Sequence, residues 1–112
     1  MTFRKQLYCD IKAEWEDAIS AGRKTVDVRV NAPPYADVNT GDIIQYRFSR
    51  VRVIGVRSYS GLPDLLAREG FSNVVPEAGS MQEAEGKLLD EIRYIQPTHG
   101  ILALELESLS GR

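Results

Sequence analysis

The sequence contains only one cysteine and one histidine among its 112 residues. Cys9 therefore has no partner for an intrachain disulfide, and a metal site built from several cysteines is excluded. Since Cys9 lies in an apolar run, we expect a buried and unreactive thiol. The single histidine, His99, excludes a His-rich metal site. Its place beside the Pro97-Thr98 turn predicts a surface residue rather than a member of a catalytic triad, and we expect neither a metal nor a cofactor.

Long apolar runs are also missing. No segment approaches the length of a membrane-spanning helix, and the first six residues lack the apolar core of a signal peptide. We therefore expect no membrane association and a cytoplasmic location. The hydrophobic share of 43% and the charged share of 27% are ordinary for a globular protein, and the length predicts a single domain over residues 1–112.

The net charge of −2 conceals a difference between the two halves of the chain. Residues 1–59 carry a net charge of +3, and residues 60–112 carry −5. The acidic total argues against binding of long duplex nucleic acid by charge alone. One stretch contains four arginines and no acid: Arg47, Arg50, Arg52 and Arg57. These arginines could hold a few phosphates, or they could equally be outward-facing strand residues that keep the protein soluble. A third possibility is that the acidic second half binds a protein partner.

The rest of the chain is organised around residues 22–30, Gly-Arg-Lys-Thr-Val-Asp-Val-Arg-Val. A strand would place the three valines on one apolar face and Thr25, Asp27 and Arg29 on the other, with Lys24 at the entrance. The simplest interpretation is a half-buried strand with a solvated charged face. The Pro-rich segment 31–37 could instead fold back over the strand end, which would turn the charged set into a polar pocket.

The remaining pattern predicts an alternation of strands and helices. A first strand spans 3–9, and a helix runs from an Asp10 cap to about Ala21, ending at Gly22. Because Trp15 lies on the apolar stripe of this helix, we expect its side chain to pack in the core rather than stack on a ligand. Ile44, Tyr46 and Phe48 alternate as a strand, and a further strand carries a change of parity at Gly55 that indicates a β-bulge or a barrel bend.

The second half predicts two helices and a closing strand. A short helix spans 62–69, and a loop containing Glu77 follows over 71–79. Ser80 and Glu83 form a capping box that opens a helix ending near Pro97. Its predicted buried side consists of Met81, Ala84, Leu88, Ile92 and Ile95. Residues 101–109 form the last strand, with leucines on one face and glutamates on the other.

This order of elements resembles the ASCH domain family. The resemblance extends from about Tyr8 to Leu106, and its most specific segments are 21–29, Gly41-Asp42 and 100–106. It implies an α+β domain of the PUA-like fold, a small mixed β-barrel with flanking helices.

The resemblance also implies two functions. PUA-like domains frequently bind RNA, so a charged cleft beside the barrel would bind RNA or a nucleotide-like small molecule. Some small ASCH proteins are instead amidohydrolases that act on acylated cytidine with a Lys, a Thr and a Glu. Lys24 matches that lysine, Glu77 is a counterpart of the glutamate, and Asp27 occupies the position of the threonine. A carboxylate is a poor substitute for a hydroxyl nucleophile, so we favour binding and keep hydrolysis as the alternative.

Within the binding hypothesis each candidate residue has a role. Lys24 and Arg29 would contact phosphate or a base edge, and Asp27 would accept hydrogen bonds from a base or orient Lys24. Tyr59 could stack on a base, and Ser60 could supply a hydroxyl beside it. Thr25 lies on the same face as Asp27. For hydrolysis, the catalytic set would be Lys24, Asp27 and Glu77.

Overall fold

The structure, a computed structural model, describes residues 5–92 and 100–109. In this part of the chain, strands and helices alternate. The strands are β1 (Gln6–Tyr8), β2 (Val26–Val30), β3 (Ile43–Gln45), β4 (Arg50–Tyr59) and β5 (Ile101–Ser108). The helices are α1 (Ala13–Ser20), α2 (Leu62–Glu69), α3 (Phe71–Val74) and α4 (Met81–Glu91), and a 3₁₀ turn spans Tyr35–Asp37.

The described strands form one mixed sheet in the order β1-β3-β4-β5-β2. Only the β1–β3 pair is parallel, and the other neighbouring strands are antiparallel. The sheet curls into a half-barrel with helices against it, which confirms the predicted α+β, PUA-like architecture. Strand β2 is an edge strand, so the segment that organises the chain lies at the rim of the sheet.

A β-bulge interrupts the long strand β4. The register with β5 shifts between Val53 and Gly55, which leaves Ile54 out of the pairing and 43% exposed. A bulge bends a strand and increases its twist, so it allows β4 to follow the curl of the sheet. The predicted change of parity at Gly55 is confirmed.

The sheet separates two hydrophobic clusters. The helical cluster packs α1, α2, α3 and α4 against Val26, Val28 and Ala103. The barrel cluster on the other side contains Leu102, Leu104 and Leu106, together with residues of β1, β3 and β4. Alternate residues of β5 therefore enter different clusters, whereas the alternate residues of β2 are the charged Asp27 and Arg29. The predicted burial of Val26 and Val28 is confirmed, whereas Val30 is half-buried.

Helix α1 begins later than predicted. Its cap is Lys12, which makes no side-chain capping hydrogen bond, so the predicted Asp10 cap is wrong. The Asp10 carbonyl instead accepts a hydrogen bond from the Arg29 guanidinium. Gly22 follows the helix with φ of +79°, as predicted for a left-handed stop.

The second half differs from the prediction in two places. The predicted loop 71–79 contains the short helix α3, and its Asn73 carbonyl accepts from the Thr25 backbone N–H at 2.9 Å. Ser80 accepts from the Glu83 N–H at 3.1 Å, which confirms the cap of α4. Met81 is 39% exposed rather than buried, because it lies at the first turn. The predicted residues Ile95 and Pro97 lie outside the described part.

Candidate functional site

Lys24 is buried rather than displayed at the strand entrance. After Gly22, the backbone N–H groups of Arg23 and Lys24 both donate to the Ala18 carbonyl, at 2.9 and 3.1 Å, which turns the chain back toward α1. Lys24 is consequently 1% exposed. Its Nζ donates to the Val74 carbonyl and lies 4.6 Å from the centroid of the Trp15 ring, a cation–π contact.

This environment makes the protonated form of the lysine less stable than it is in water. Burial lowers the pKa of Lys24 to about 8, although the nearby carboxylates of Asp27 and Glu77 act in the opposite direction. The same Trp15 donates its indole N–H to Glu77 at 2.9 Å. Trp15 therefore connects α1 to both the lysine and the glutamate. A lysine that titrates near neutral pH can exchange a proton there, which is a recurrent property of functional sites.

Asp27 is the acceptor at the centre of a buried polar network. Its Oδ2 accepts from the Tyr46 hydroxyl at 2.7 Å and from Arg29 Nε at 3.0 Å. Arg29 Nη2 forms an ion pair with the same oxygen at 3.0 Å. Burial, together with the charge of Asp27 and the hydrogen bond to it, raises the pKa of Tyr46, so this hydroxyl remains a donor. The carboxylate is thereby held in one orientation.

Arg29 spans from this network to two neighbouring segments. Its Nη2 donates to the Asp10 carbonyl at 2.9 Å, and its Nη1 donates to the Tyr35 hydroxyl at 3.3 Å. The guanidinium carbon also lies 5.1 Å from the centroid of the Tyr35 ring. Burial alone would lower the pKa of Arg29, but Asp27 together with Tyr46, Tyr35 and Cys9 outweighs burial and raises the pKa. Tyr35 belongs to the 31–37 segment, so the Pro-rich loop does fold back over the strand and covers its charged face.

A cleft of about 320 Å³ opens beside this network, between β2, the start of α1 and the end of α4. Its lining combines three carboxylates, two cations and an apolar wall. The lining residues are Asp10, Ile11, Lys12, Trp15, Asp27, Val28, Arg29, Leu88, Glu91 and Ile92. We refer to this set as the cleft.

Glu77 does not line the cleft but lies in a neighbouring depression that shares Lys12 with it. It lines a second depression of about 370 Å³, together with Lys12, Glu14, Arg23 and Lys87. The Trp15 indole, which bonds Glu77 and also lines the cleft, stands between the two. The structure thus gathers Lys24, Asp27 and Glu77 around Trp15, but Asp27 and Glu77 face separate depressions.

The other predicted ligand contacts lie elsewhere. The Tyr59 hydroxyl donates to Glu69 at 2.5 Å, and its ring packs against the helical cluster, so it is directed toward α2. Ser60 follows as an exposed residue before α2. Thr25 is half-buried, and its backbone joins β5 and α3 through hydrogen bonds to Leu106 and Asn73. Within the described residues, none of these three lines the cleft or the second depression.

The four arginines of the predicted basic patch have different surroundings. Arg52 pairs with Glu107 at 2.9 Å, and Arg57 pairs with Glu69 at 2.6 Å. The Arg57 guanidinium also reaches Glu105 at 3.0 Å. Arg47 lies over the ring of Phe48, 5.3 Å from its centroid. Arg50 is exposed at the start of β4. Arg52 and Arg57 are thus already engaged by carboxylates.

Sequence reasoning missed several contributors. The sequence pattern indicates only a strand position for Tyr46, yet its hydroxyl donates to Asp27, 19 positions away in sequence. Lys12 and Glu91 line the cleft from two helices that meet only in the folded chain. No local sequence pattern predicts these contacts, because each contact joins elements that are far apart in sequence. His99, which we expect in a surface turn, lies outside the described residues.

Comparison with known proteins identifies the family. A model of the ASCH domain matches residues 10–109. The chain belongs to the ASCH domain family. Its structure is similar to the crystal structure of hypothetical protein PH0355, with a TM-score of 0.86, 27% identity, and coverage of 94% of this chain and 99% of that one. No curated protein matches the sequence at a significant level.

More distant ASCH-like structures share the fold. Protein PF0455 from Pyrococcus furiosus has a TM-score of 0.80 at 23% identity, and 96% of this chain aligns with 99% of that chain. The crystal structure of ASCH from Zymomonas mobilis has a TM-score of 0.64 at 19% identity. The alignment covers 94% of this chain and 68% of the Zymomonas mobilis chain. For residues 5–92 and 100–109 of this ASCH domain, no group of three or more His, Cys, Asp or Glu residues could hold a metal ion. No helix in the same ranges is long and apolar enough to cross a membrane.

Proposed function

We propose that this ASCH domain binds a nucleotide-like ligand, either a free nucleotide or one nucleotide of RNA, with the base in the cleft. The observation that carries the proposal is the composition of the cleft walls. Three carboxylates, from Asp10, Asp27 and Glu91, face two cations, Lys12 and Arg29, across about 320 Å³. This volume lies at the lower end of small-molecule sites, which span roughly 300–1,000 Å³.

A mixed set of donors and acceptors suits a base better than a phosphate. Nucleobases present amino and imino donors beside carbonyl and ring-nitrogen acceptors along one edge, and proteins read unpaired bases through these edges. A phosphate would be repelled by the three carboxylates. Asp27 is well placed to accept from a base, because Tyr46 and Arg29 hold its carboxylate in position through Oδ2.

The same contacts change the roles that the sequence suggests for the two central cations. Arg29 is engaged by Asp27, the Asp10 carbonyl and Tyr35, so it positions Asp27 instead of holding phosphate. Lys24 is covered by Trp15 and bonded to Val74, so it supports the cleft wall from behind. In this proposal the direct contacts come from Asp27, Lys12 and Glu91.

A matched pair of substitutions on α4 tests the proposal. Glu91→Gln removes a cleft carboxylate, whereas Asp90→Asn changes an exposed neighbour that does not line the cleft. Calorimetric titration with cytidine monophosphate and the other mononucleotides should give about tenfold weaker binding for Glu91→Gln, since one charged hydrogen bond is worth about 1.5 kcal/mol or more. Asp90→Asn should bind like the unmodified protein. If no mononucleotide binds at millimolar concentration, the proposal fails.

Hydrolysis of an acylated cytidine is the second candidate, and one observation favours it. Burial lowers the pKa of Lys24 to about 8 against the opposing effect of two carboxylates, which is the property of a lysine that takes up a proton during catalysis. Neutral Lys24 would accept a proton from water as the oxygen attacks the acyl carbon, and the proton would pass to the departing amine. The burial of Lys24 and the separation of Glu77 from the cleft rank this function below binding.

Turnover of acylated cytidine decides between the two candidates. We expect little or none by the unmodified protein, because Asp27 stands in the threonine position and is fixed by Tyr46 and Arg29. Asp27→Thr restores the family's Lys, Thr and Glu in sequence, and we expect hydrolysis by this variant only if Glu77 reaches the cleft, which it does not line. Efficient cleavage by the unmodified protein, lost in Lys24→Met and unchanged in Asp90→Asn, would reverse the ranking.

A further inference from the structure

A groove of about 410 Å³ adjoins the cleft on the side of β1 and β3. Its lining residues are Tyr8, Cys9, Asp10, Gln45, Tyr46 and Arg47. Asp10 belongs to both the groove and the cleft. Tyr46, which lines the groove, also donates to Asp27 in the cleft. A chain leaving the cleft past Asp10 would therefore enter this groove.

Two aromatic residues are exposed here: Tyr8, which lines the groove, and Phe48, which contacts the groove residue Arg47. Tyr8 is 79% exposed and Phe48 is 80% exposed, and no other large hydrophobic residue in the described ranges exceeds 47%. Phe48 is not the core strand residue that its alternation with Ile44 predicts, because β3 ends at Gln45 and Phe48 lies in the turn before β4. The fold thus leaves two large aromatic faces without cover, beside an opening.

Arg47 joins these aromatics into one surface. Its side chain lines the groove with Tyr8, and its guanidinium lies over the ring of Phe48. We call Tyr8, Arg47 and Phe48 the platform. Stacked aromatic rings and guanidinium planes are the means by which proteins hold the bases of single-stranded nucleic acids, while the cation attracts the backbone.

The turn that carries Phe48 is braced on several sides. The Phe48 N–H donates to Glu16 at 2.6 Å, and the Tyr46 N–H donates to the Ser49 carbonyl at 2.8 Å. The Ser49 hydroxyl lies 2.5 Å from that of Ser20 on α1. An exposed ring on a rigid turn loses little conformational freedom on binding, so this one is preorganised to accept a flat partner.

We propose that the platform stacks the nucleotides that flank the base bound in the cleft, and that its partner is single-stranded RNA. This inference rests on the proposed function. Duplexes are unsuited, because their base faces are already stacked. RNA is favoured over DNA because recognition of unpaired bases with aromatic and arginine side chains is the common mode for RNA loops and ends. The acidic cleft limits binding by charge, so stacking supplies the gain in affinity.

A length series separates the platform from the cleft. Titration of the protein with cytidine monophosphate and with a six-nucleotide single-stranded RNA should show at least tenfold tighter binding of the longer ligand. Phe48→Leu and Tyr8→Leu keep an apolar side chain but remove the aromatic face. Each should weaken binding of the hexanucleotide at least fivefold and leave binding of the mononucleotide unchanged.

Two further variants complete the experiment. Leu89→Ser alters another exposed apolar residue, on α4, and should change neither affinity. Arg47→Gln should lower the slope of log affinity against log salt by about one for the hexanucleotide alone. Since Phe48, Tyr8 and Leu89 are all exposed, thermal melting should show that every variant remains folded.

Each alternative result contradicts a stated part of the proposal. If the hexanucleotide binds no more tightly than the mononucleotide, the platform is overturned while the cleft stands. If no mononucleotide binds but Phe48→Leu still weakens the hexanucleotide, the cleft fails and the platform stands. Equal affinity for the matching single-stranded DNA overturns the assignment to RNA. A dimer of the unmodified protein in light scattering, dissociated by Phe48→Leu or Tyr8→Leu, makes this surface a self-association face and overturns the proposal.

Discussion

Arg29 connects the two edge strands of the half-barrel through its guanidinium group. It belongs to β2 at one edge, and it donates to the carbonyl of Asp10, which follows β1 at the other edge. Asp27 compensates its charge, and Tyr46 completes the hydrogen bonding of Asp27 on the side of the barrel cluster. A sheet that does not close by strand pairing is thus closed locally by side chains.

The Asp27–Arg29 pair should be strongly coupled. Removing either partner leaves a largely buried charge without compensation, so Asp27→Asn and Arg29→Met should each lower the free energy of unfolding by about 3 kcal/mol. The loss of unfolding free energy in the double variant should be smaller than the sum of the two single losses by at least about 1 kcal/mol. Urea denaturation of the four proteins measures this cycle.

The exposed Asp64–Arg68 pair on α2 provides the control for that cycle. Its carboxylate and guanidinium lie 3.1 Å apart one helical turn from each other, and both side chains are more than half exposed. Its coupling should not exceed about 0.5 kcal/mol. Equal coupling in the two cycles would show that burial of Arg29 and Asp27 adds nothing to their interaction.

Lys24 should make stability depend on pH in an unusual direction. Its pKa is about 8 in the folded chain and near 10.4 when unfolded, so the unfolded state binds more protons between these values. The free energy of unfolding should therefore rise with pH in this window, by up to about 1.4 kcal/mol per pH unit, and this contribution should level off below pH 8.

Comparison with Lys24→Met isolates this contribution. Burial raises the pKa values of Cys9 and Tyr35, which lowers stability as pH increases, but both groups are present in either protein. The difference in unfolding free energy between the two proteins, measured in urea from pH 7.5 to 9.5, should shift by about 2 kcal/mol in favour of the unmodified chain. A difference independent of pH would mean that the ammonium of Lys24 is not destabilised by burial.

Among the secondary-structure elements, the strongest local patterns predicted the fold. The alternation of valine with charged residues fixed β2, the glycine after α1 marked its end, and the Ser80 cap marked the start of α4. The site was predicted only in part. The alternation of β2 placed Asp27 and Arg29 on one face, but nothing local indicated that Tyr46 would hold the carboxylate or that Trp15 would cover Lys24. These contacts depend on packing between elements far apart in sequence.

The start of β5 depends on a glycine for two separate reasons. Gly100 has φ of +71°, and a Cβ atom there would lie 2.9 Å from the Tyr59 carbonyl oxygen. Gly22 has a similar φ of +79°, but a Cβ atom there would meet nothing within 4 Å. Gly22→Ala should therefore cost about 1 kcal/mol from backbone strain alone, whereas Gly100→Ala should cost about 3 kcal/mol. Chemical denaturation measures both, and equal losses would contradict a contribution from the Tyr59 contact.

In the whole molecule, part of the basic first half meets part of the acidic second half. Pairing of β4 with β5 brings Arg52 to Glu107 and Arg57 to Glu105, and Arg57 also reaches Glu69 of α2. The difference in charge along the sequence is therefore partly neutralised across this strand pair. A protein partner for the acidic half, which the sequence leaves open, would find several of its carboxylates already engaged.

Ion pairing also determines which arginines can contribute to nucleic-acid binding. An arginine held by a carboxylate must lose that partner before it binds phosphate, so its substitution should not alter counterion release. The double variant Arg52→Gln/Arg57→Gln should change the slope of log affinity against log salt for single-stranded RNA by less than about 0.5, whereas Arg47→Gln should lower it by about one. Binding of duplex DNA should be weak for all three proteins, given the net charge of −2. A slope lowered by about two in the double variant would instead show that Arg52 and Arg57 leave their carboxylates to bind the backbone, and that the interface extends along β4 away from the cleft.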